Sequence, residues 1–504
     1  MRLRIPLMAD LKIYQFSGAT ITEMESGMTN SVVEGNYVTQ RPSIDVFEDA
    51  STHISDAKGR GIYYWDTNSA LYIINNGTLY KDSQGSSLST LPTAGTKRCN
   101  FLEMGTKLIL IDTENSEAFT IVTAGTVTKI TDTDFPPNQT PAVSLAYGGA
   151  VLDQYLFVMG TNGIIYNSNV GDPTAWTALD YIEAERSPDG GQYLARHGDN
   201  LVAFGVHTIE FFYNNSNTTG SPLNRRQDIA YNIGCSDGES VWEDGDRIFF
   251  IGVDSSGALD VNVLENFQIR QISPSSLSSF LTQAIVKDNY SVMGSGFSAQ
   301  GHSYYILTLY TTPSDISPDL SLAYDTSTGI WGIWDTAVNG LSKFPLVHWS
   351  VRTGTSPRYG EGILSNGDLI TINDNMNPQD TLLASTYMTT GYVLTGYVQT
   401  AGSSGTAITM KIRTGHYDGG VEVAKSLSDI RPVCNQTTST QNLTIRWADE
   451  NNSSFTAGEV IDMSKFNKVR RCGRFRRRNH EIEYSGTEAL RLEALECNIK
   501  IGER

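Results

Sequence analysis

The densest set of charged side chains in this sequence is a basic segment near the carboxyl end. No acid lies between its first and last members, Lys465 and Arg478. Guanidinium groups bind phosphates and carboxylates through paired N–H donors, and lysines add compact point charges. The segment therefore predicts a surface that binds anions, either nucleic-acid phosphates or the carboxylates of a protein. Its eight basic residues are Lys465, Lys468, Arg470, Arg471, Arg474, Arg476, Arg477 and Arg478.

If this segment is one extended strand, its side chains alternate between two faces. Four guanidinium groups on one face can bind phosphates with a steep salt dependence, or they can pair with acids of another protein. One face would carry Arg470, Cys472, Arg474, Arg476 and Arg478, and the other Val469, Arg471, Gly473, Phe475 and Arg477.

The charge of the rest of the chain helps to choose between these partners. The formal net charge is −18; without these eight residues 29 of the 37 Lys and Arg remain against 55 acids, so the remainder carries −26. A body this acidic repels nucleic acid over most of its surface. We therefore interpret the basic segment first as a subunit or protein interface. Contact with DNA, and a strand that is solvated or paired within the chain, are the alternatives.

Residues arranged for catalysis or metal binding are not found in the sequence. No two histidines stand at metal-ligand spacing, and the five cysteines form no CxxC pair. Glu183 and Glu185, Glu243 and Asp244, and Asp254 could bind calcium or act as a glycosidase pair, but acids in turns are typically solvated. We predict no catalytic, metal-binding or cofactor-binding residues, no enzyme activity and no cofactor. With no apolar run of ~18 residues, we also predict no membrane insertion.

The elements that must position these residues are predicted to be strands. A short strand, a Gly, Asp or Asn turn and an alternating apolar strand recur from about residue 50 to 380, as in residues 61–65, 70–74 and 78–80. Units about 40 to 60 residues apart match one four-stranded propeller blade each. The pattern predicts an all-β chain with a β-propeller of six or seven blades; a tandem of β-sandwiches is the alternative.

The two ends of the chain depart from this repeat. We predict that residues 1–45 and 381–504 form a β-sandwich-like platform, with the propeller at 46–380. Helix and strand are competing interpretations of the final segment, because residues 488–496 favour a helix locally. Its alternation resumes at the end, in Ile499 and Ile501, so a strand with a bulge is predicted there.

Three motifs resemble one known family. Residues 184–190, with a Pro-Asp-Gly turn, continue through the strand-like residues 198–213. Residues 469–478 match an Arg-Arg-x-Gly-Arg-x-Arg pattern near the carboxyl end, and residues 41–44 begin with Arg-Pro. These motifs are similar to those of the packaged-DNA stabilisation proteins of short-tailed bacteriophages, also described as tail hub, head-closure or nozzle proteins. Cys472 departs from the family pattern, which has an aliphatic residue at that position.

The resemblance implies a structural protein of the virion tail, made in the cytoplasm of the host bacterium. It implies a homohexameric ring that closes the DNA-filled head, with portal–adaptor proteins above it and a tail plug, needle or fibres below. Double-stranded DNA would be retained in the central channel and would pass through it during ejection. An acidic channel wall would let DNA slide, whereas Arg474, Arg476 and Arg478 lining the bore would contradict that idea.

Two other functions are weighed against this one. A carbohydrate-binding or glycan-degrading propeller tail protein is the main alternative, because residues 324–331 resemble the Asp-box turn of sialidase propellers. A scaffold of the WD-repeat class is disfavoured, since Trp-Asp occurs only at Trp65-Asp66 and Trp334-Asp335 rather than once per blade.

Overall fold

A computed structural model describes most of the chain. The described residues are 2–8, 10–184, 189–312, 317–352, 359–373, 378–382, 404–421, 423–450, 454–465 and 467–501. Strands dominate these residues, as predicted. The first six strands are β1 (Arg2–Pro6), β2 (Lys12–Ser17), β3 (Thr20–Thr29), β4 (Ser31–Glu34), β5 (Tyr37–Gln40) and β6 (Ser43–Glu48).

Seven sheets of the described residues form the blades of a propeller. Blade 1 contains β7 (Gly59–Trp65), β8 (Ala70–Asn75), β9 (Thr78–Lys81) and β10 (Ser83–Ser89). Blade 2 contains β11 (Cys99–Met104), β12 (Lys107–Asp112), β13 (Glu117–Val122) and β14 (Val127–Lys129). After β15 (Tyr147–Gly148), blade 3 contains β16 (Ala150–Leu152), β17 (Tyr155–Met159), β18 (Ile164–Asn169) and β19 (Asp172–Glu183).

The next two blades each carry an additional short strand. Blade 4 contains β20 (Gly191–His197), β21 (Asn200–Gly205), β22 (Ile209–Asn214) and β23 (Leu223–Tyr231), and β15 pairs with β20. Blade 5 contains β24 (Gly234–Cys235), β25 (Trp242–Asp244), β26 (Arg247–Val253), β27 (Leu259–Glu265) and β28 (Gln268–Gln271). The one α-helix of the described residues, α1 (Ser275–Leu281), follows and continues as a π-helical turn (Thr282–Lys287).

The last blade closes the ring with a strand from the other end of the chain. Blade 6 contains β29 (Ser291–Ala299), β30 (His302–Tyr310), β31 (Leu320–Asp325) and β32 (Ile330–Ile333). Blade 7 contains β33 (Leu346–Arg352), β34 (Tyr359–Leu364) and β35 (Leu369–Asn373), and β6 adds its fourth strand. The propeller therefore begins at Ser43, slightly before the predicted boundary at residue 46. Seven blades lie within the predicted range.

The alternation of side chains along one strand explains why the blades repeat. Leu108 and Leu110 of β12 pack in the core between blades 1 and 2. Ile109 and Ile111 point to the opposite face and pack in the core between blades 2 and 3. Neither face of such a sheet can be left in water, so each blade needs a neighbour on both sides. A core that joins blade 7 to blade 1, including Ile62 and Val347, completes the ring.

Two further strands, β36 (Gln379–Leu382) and β37 (Ser404–Ala407), extend the sheet of blade 7 beyond β6, so part of the range predicted for the platform belongs to the propeller sheet. The later strands join the first five strands in a platform. They are β38 (Met410–Thr414), β39 (Lys425–Cys434), β40 (Asn442–Asp449), β41 (Glu459–Asp462), β42 (Val469–Arg470), β43 (Arg474–Phe475), β44 (Arg478–Tyr484) and β45 (Leu492–Ile501). One platform sheet contains β1, β4, β5, β39, β42, β43 and β45, and the other contains β2, β3, β38, β40, β41 and β44. The two sheets share one apolar core, as a β-sandwich does.

The final strand settles the choice between strand and helix. β45 pairs with β39 and with β1, so both ends of the chain lie side by side. Its pairing with β39 shifts at Glu493, and the consecutive residues Ala494 and Leu495 are both buried. This irregularity is the bulge that the change of alternation predicted. No helix among the described residues is long and apolar enough to cross a membrane.

Candidate interface on the platform

The basic segment does not form the single strand that was predicted. It is divided into β42 and β43, which both pair with β39. Between them, Arg471 and Gly473 adopt left-handed backbone conformations, with φ of 60° and 81°. These two turns direct the side chains of Val469, Cys472 and Phe475 into the platform core. A flat strand cannot bury every third residue, so the predicted division into two faces is wrong.

Arg478 is the clearest departure from the predicted arginine face. Its side chain is fully buried, and Nε and Nη2 donate to the two carboxylate oxygens of Asp449 at 2.5 and 2.9 Å. Nη1 donates to the carbonyl of Cys472 at 2.6 Å, and the guanidinium lies 4.4 Å from the centre of the Phe475 ring. Because its donors are used inside the fold, Arg478 holds the basic segment in place and does not face a partner.

The other seven basic residues lie at or near the surface. Lys465 pairs with Asp462 at 3.0 Å, and Lys468 pairs with Asp429 at 3.2 Å. Arg477 is half-buried. The remaining four are exposed, and no acid of the described residues lies within ion-pair distance of their guanidinium groups; they are Arg470, Arg471, Arg474 and Arg476. We call these four the arginine loop.

A second arginine lies where the platform meets the propeller. Arg41 is fully buried, and its two Nη atoms bind the carboxylate of Asp380 at 3.0 and 2.5 Å. It also donates to the carbonyl of Asp335 and to the side chain of Asn30. Strands β6, β36 and the end of blade 6 are thereby joined through one side chain. The Arg-Pro motif at residues 41–44 pointed to this segment, but the sequence did not identify the residues that bind the Arg41 side chain.

The centre of the propeller is crossed by a third arginine. Arg98 enters from blade 2, and its guanidinium donates to the carbonyls of Val241 in blade 5, at 2.7 Å, and Gly294 in blade 6. The preceding residue, Lys97, forms an ion pair with the buried Glu239. These contacts join residues 142 to 196 positions apart in sequence, which is why no local motif predicted them.

Beside Arg98 the bore contains a cavity of about 230 Å³. Glu243 lies in this cavity and accepts a hydrogen bond from the Tyr193 hydroxyl at 2.9 Å. Desolvation in the bore raises the pKa of Glu243 to about 7, and burial raises the pKa of Glu239 to about 7 as well. Glu243 is exposed, as expected, but it lies in the bore rather than in a turn, and Asp244, the last residue of β25, pairs with Arg247.

Potential metal ligands do not come together in the described parts of the chain. No group of three or more His, Cys, Asp or Glu side chains forms there. The acid pair at 183 and 185 falls partly outside the described residues, as does the Pro-Asp-Gly turn at 184–190. The following residues of that motif form β21 and β22 of blade 4.

Similarity to curated proteins is absent, and similarity to solved structures is weak. No curated protein matches the sequence. Among solved structures, the N-terminal domain of Nup159 is 7% identical with a TM-score of 0.38, over 68% of this chain and 98% of that one. A catalytically inactive virginiamycin B lyase from Staphylococcus aureus with quinupristin is 10% identical with a TM-score of 0.38, over 63% of this chain and 96% of that one.

A family match covers most of the chain. Residues 3–354 match the family described as bacteriophage P22 Gp10, beta-propeller. The match begins in β1 of the platform and extends through β33 of blade 7. The chain therefore belongs to the bacteriophage P22 Gp10 β-propeller family and is a phage structural protein with a propeller fold.

Proposed function

We propose that this protein is a tail hub, or nozzle, that closes the DNA-filled phage head and forms part of the ejection channel. In this role it is a homohexameric ring in the virion tail rather than an enzyme, and it is made in the host cytoplasm. Portal–adaptor proteins lie above the ring, and a plug, needle or fibres lie below it. The observation that carries the proposal is the arginine loop, an exposed cationic surface on the platform of a phage structural protein.

The closed bore of the propeller supports a channel made by several subunits. Arg98 crosses the bore, and the cavity beside it measures only about 230 Å³. A DNA duplex, whose major groove alone is about 12 Å wide, has no room there. DNA in such a tail therefore has to pass between subunits arranged in a ring. The platform, built from both chain ends, is the surface that we assign to the ring contacts.

Charge supports a protein partner for the arginine loop. Four exposed guanidinium groups project from a chain whose other residues are strongly acidic. In a ring of identical subunits, each arginine loop meets surface from a neighbour that carries this acidic excess. Complementary charge of this kind sets register and speeds association. We therefore assign the arginine loop to contacts with neighbouring subunits and leave DNA contact as the competing outcome.

A charge reversal on the arginine loop tests this role. Phage that lack the gene are complemented in trans with Arg470→Glu/Arg474→Glu or with a matched control, Arg270→Glu/Lys287→Glu, which reverses two exposed charges on the propeller and helix. We expect the loop variant to lower the yield of DNA-filled particles about tenfold or more, because like charges then face each other across the interface. Electron microscopy of the particles counts filled heads and ring-bearing tails.

The outcomes separate the possible roles. Filled, ring-bearing particles at the normal yield with the loop variant would overturn the interface assignment. Intact rings that release their DNA, together with a salt-dependent loss of DNA binding by the purified variant, would place DNA on the loop instead. Normal particles in the complete absence of the protein would overturn the head-closure role itself.

A further inference from the structure

An open cleft of about 1210 Å³ lies between the outer parts of blades 3 and 4. It is larger than the ~300–1,000 Å³ that holds a small organic ligand, so it has room for a short polymer. Both blades are irregular beside it. Residues 177–180 of β19 and residues 226–229 of β23 bulge out of the regular strand pairing.

The two blades also meet at the outer edge of this region. The carbonyl oxygen of Leu179, in the bulge of β19, lies near the backbone of Gly220, in the loop before β23. A Cβ added to Gly220 would be 3.7 Å from that oxygen. On the other side, the Asn214 side chain donates to Asp153 at 2.8 Å and joins blade 4 to a turn of blade 3. The cleft is therefore held by contacts on two sides and is not a gap between independent elements.

Polar side chains with free hydrogen-bonding groups line the cleft. Among the described residues, the Asn200 and Gln227 amides and the Tyr213 hydroxyl form no hydrogen bond or ion pair. The Asn224 carbonyl oxygen accepts from Asn217 at 3.1 Å, which leaves its own N–H₂ group available. Each amide offers a donor and an acceptor, and the exposed Tyr213 adds an aromatic ring with a polar tip. Adjacent sugar hydroxyls and the C–H face of a pyranose match this combination.

The charge and polarity of the lining argue against a nucleic acid or a protein as the occupant of the cleft. The two basic residues of the lining are already paired, Arg225 with Glu210 and Arg226 with Asp228. Asp153, Glu183 and Asp199 leave the cleft acidic, which disfavours nucleic acid and other polyanions. Only one aliphatic side chain, that of Ile182, lines it, whereas protein docking sites have apolar centres.

We propose that this cleft binds an oligosaccharide of neutral or amino sugars, the chemistry of a bacterial surface polysaccharide. The amides and acids would bind hydroxyl groups, and Tyr213 would stack on a sugar ring. This role is additional to head closure and does not depend on it. It requires no cleavage of the sugar chain.

The test uses the full-length protein on an array of oligosaccharides from bacterial O-antigens and capsules, followed by calorimetry on each glycan bound. Tyr213→Ala and Asn200→Ala/Gln227→Ala are compared with Tyr14→Ala, which removes an exposed tyrosine of the platform. We expect the wild type and Tyr14→Ala to bind the same glycans and the cleft variants to bind them about tenfold more weakly or worse. Thermal melts establish that all variants are folded.

Three results would overturn the proposal: no glycan bound by the wild type, glycan binding that the cleft variants retain, or cleft variants that lose a virion protein partner but no glycan. The last result would make the cleft a protein-docking site. Particle yield in the complementation assay separates this site from head closure, because we expect the cleft variants to yield normal numbers of filled heads.

Discussion

The propeller and the platform are both made of β-sheets, yet they are stabilised in different ways. Blades 1 to 6 of the propeller consist of strands close together in sequence, and neighbouring blades cover both faces of a blade with apolar side chains. The platform pairs β1 with β45, and so joins the two ends of the chain. Its charged residues are partly buried and partly exposed, as Arg478 and the arginine loop show. A repeat can close on itself, whereas the platform leaves the four guanidinium groups of the arginine loop exposed to solvent.

The largest effect should come from the arginine between the two regions. Arg41→Met leaves the buried carboxylate of Asp380, 3% exposed, without its guanidinium. Removing one partner of a buried pair costs about 3–5 kcal/mol, so we expect a clearly lower urea midpoint. The control is Arg4→Met, whose pair with Glu493 is exposed on both sides. Such a surface pair contributes at most about 1 kcal/mol. Equal losses in the two variants would show that the junction does not depend on Arg41.

A pair of core truncations should show whether the two regions unfold separately. Leu110→Ala removes apolar volume between blades 1 and 2, and Ile445→Ala removes it from the platform core. Each change should cost about 2–5 kcal/mol. Hydrogen exchange measured by mass spectrometry should then rise in blades 1 and 2 for the first variant and in the platform for the second. A uniform rise across the chain in both variants would mean that the regions unfold as one unit.

The smallest effect is a pH dependence of opposite sign in the two regions. The pKa of Glu243 in the bore is raised from 4.5 to about 7, so the folded state holds its proton more tightly than the unfolded state. Its contribution to stability is complete below pH 4.5 and is lost as the pH rises through 7. Glu243→Gln should therefore flatten the fall of the melting temperature between pH 5 and about 8.

The platform supplies the opposite case. Hydrogen bonds from Ser439 and Thr438 lower the pKa of Glu488 from 4.5 to about 2. Its contribution is present above pH 4.5 and is lost as the pH falls toward 2. Glu488→Gln should reduce the loss of the melting temperature on acidification and should leave the slope near pH 7 unchanged. An effect of this variant near pH 7, or of Glu243→Gln below pH 4.5, would contradict the assignments.

Much of the propeller could be predicted because the side-chain pattern that produces it lies within short stretches of sequence. Alternation such as that of Leu108 to Ile111 requires a sheet with two buried faces, and repetition of such sheets predicts a ring. The sequence did not give the blade number uniquely, because the units are unevenly spaced. The strand that completes blade 7 comes from residues 43–48, before the repeat begins.

The candidate site was predicted less well, and Arg478 shows why. Composition located the basic segment, and alternation suggested that Arg478 faces the same way as Arg474. The direction of each side chain instead follows from the turns at Arg471 and Gly473, which are favoured by the burial of Cys472 and Phe475 against a core of distant strands. A single segment carries no information about what that core contains.

By itself, the sequence determined the all-β class, the propeller and the position of the basic segment. Those features depend on residue type and on spacing within a few dozen positions. Only the tertiary structure decided that Arg41, Arg98 and Arg478 are buried and that the arginine loop is exposed. The reason is physical: an arginine is buried where acids or carbonyls saturate its donors. The partners of Arg41 and Arg98 come from strands far away in the chain, and Arg478 reaches Asp449 and the carbonyl of Cys472 only because of the turns between β42 and β44.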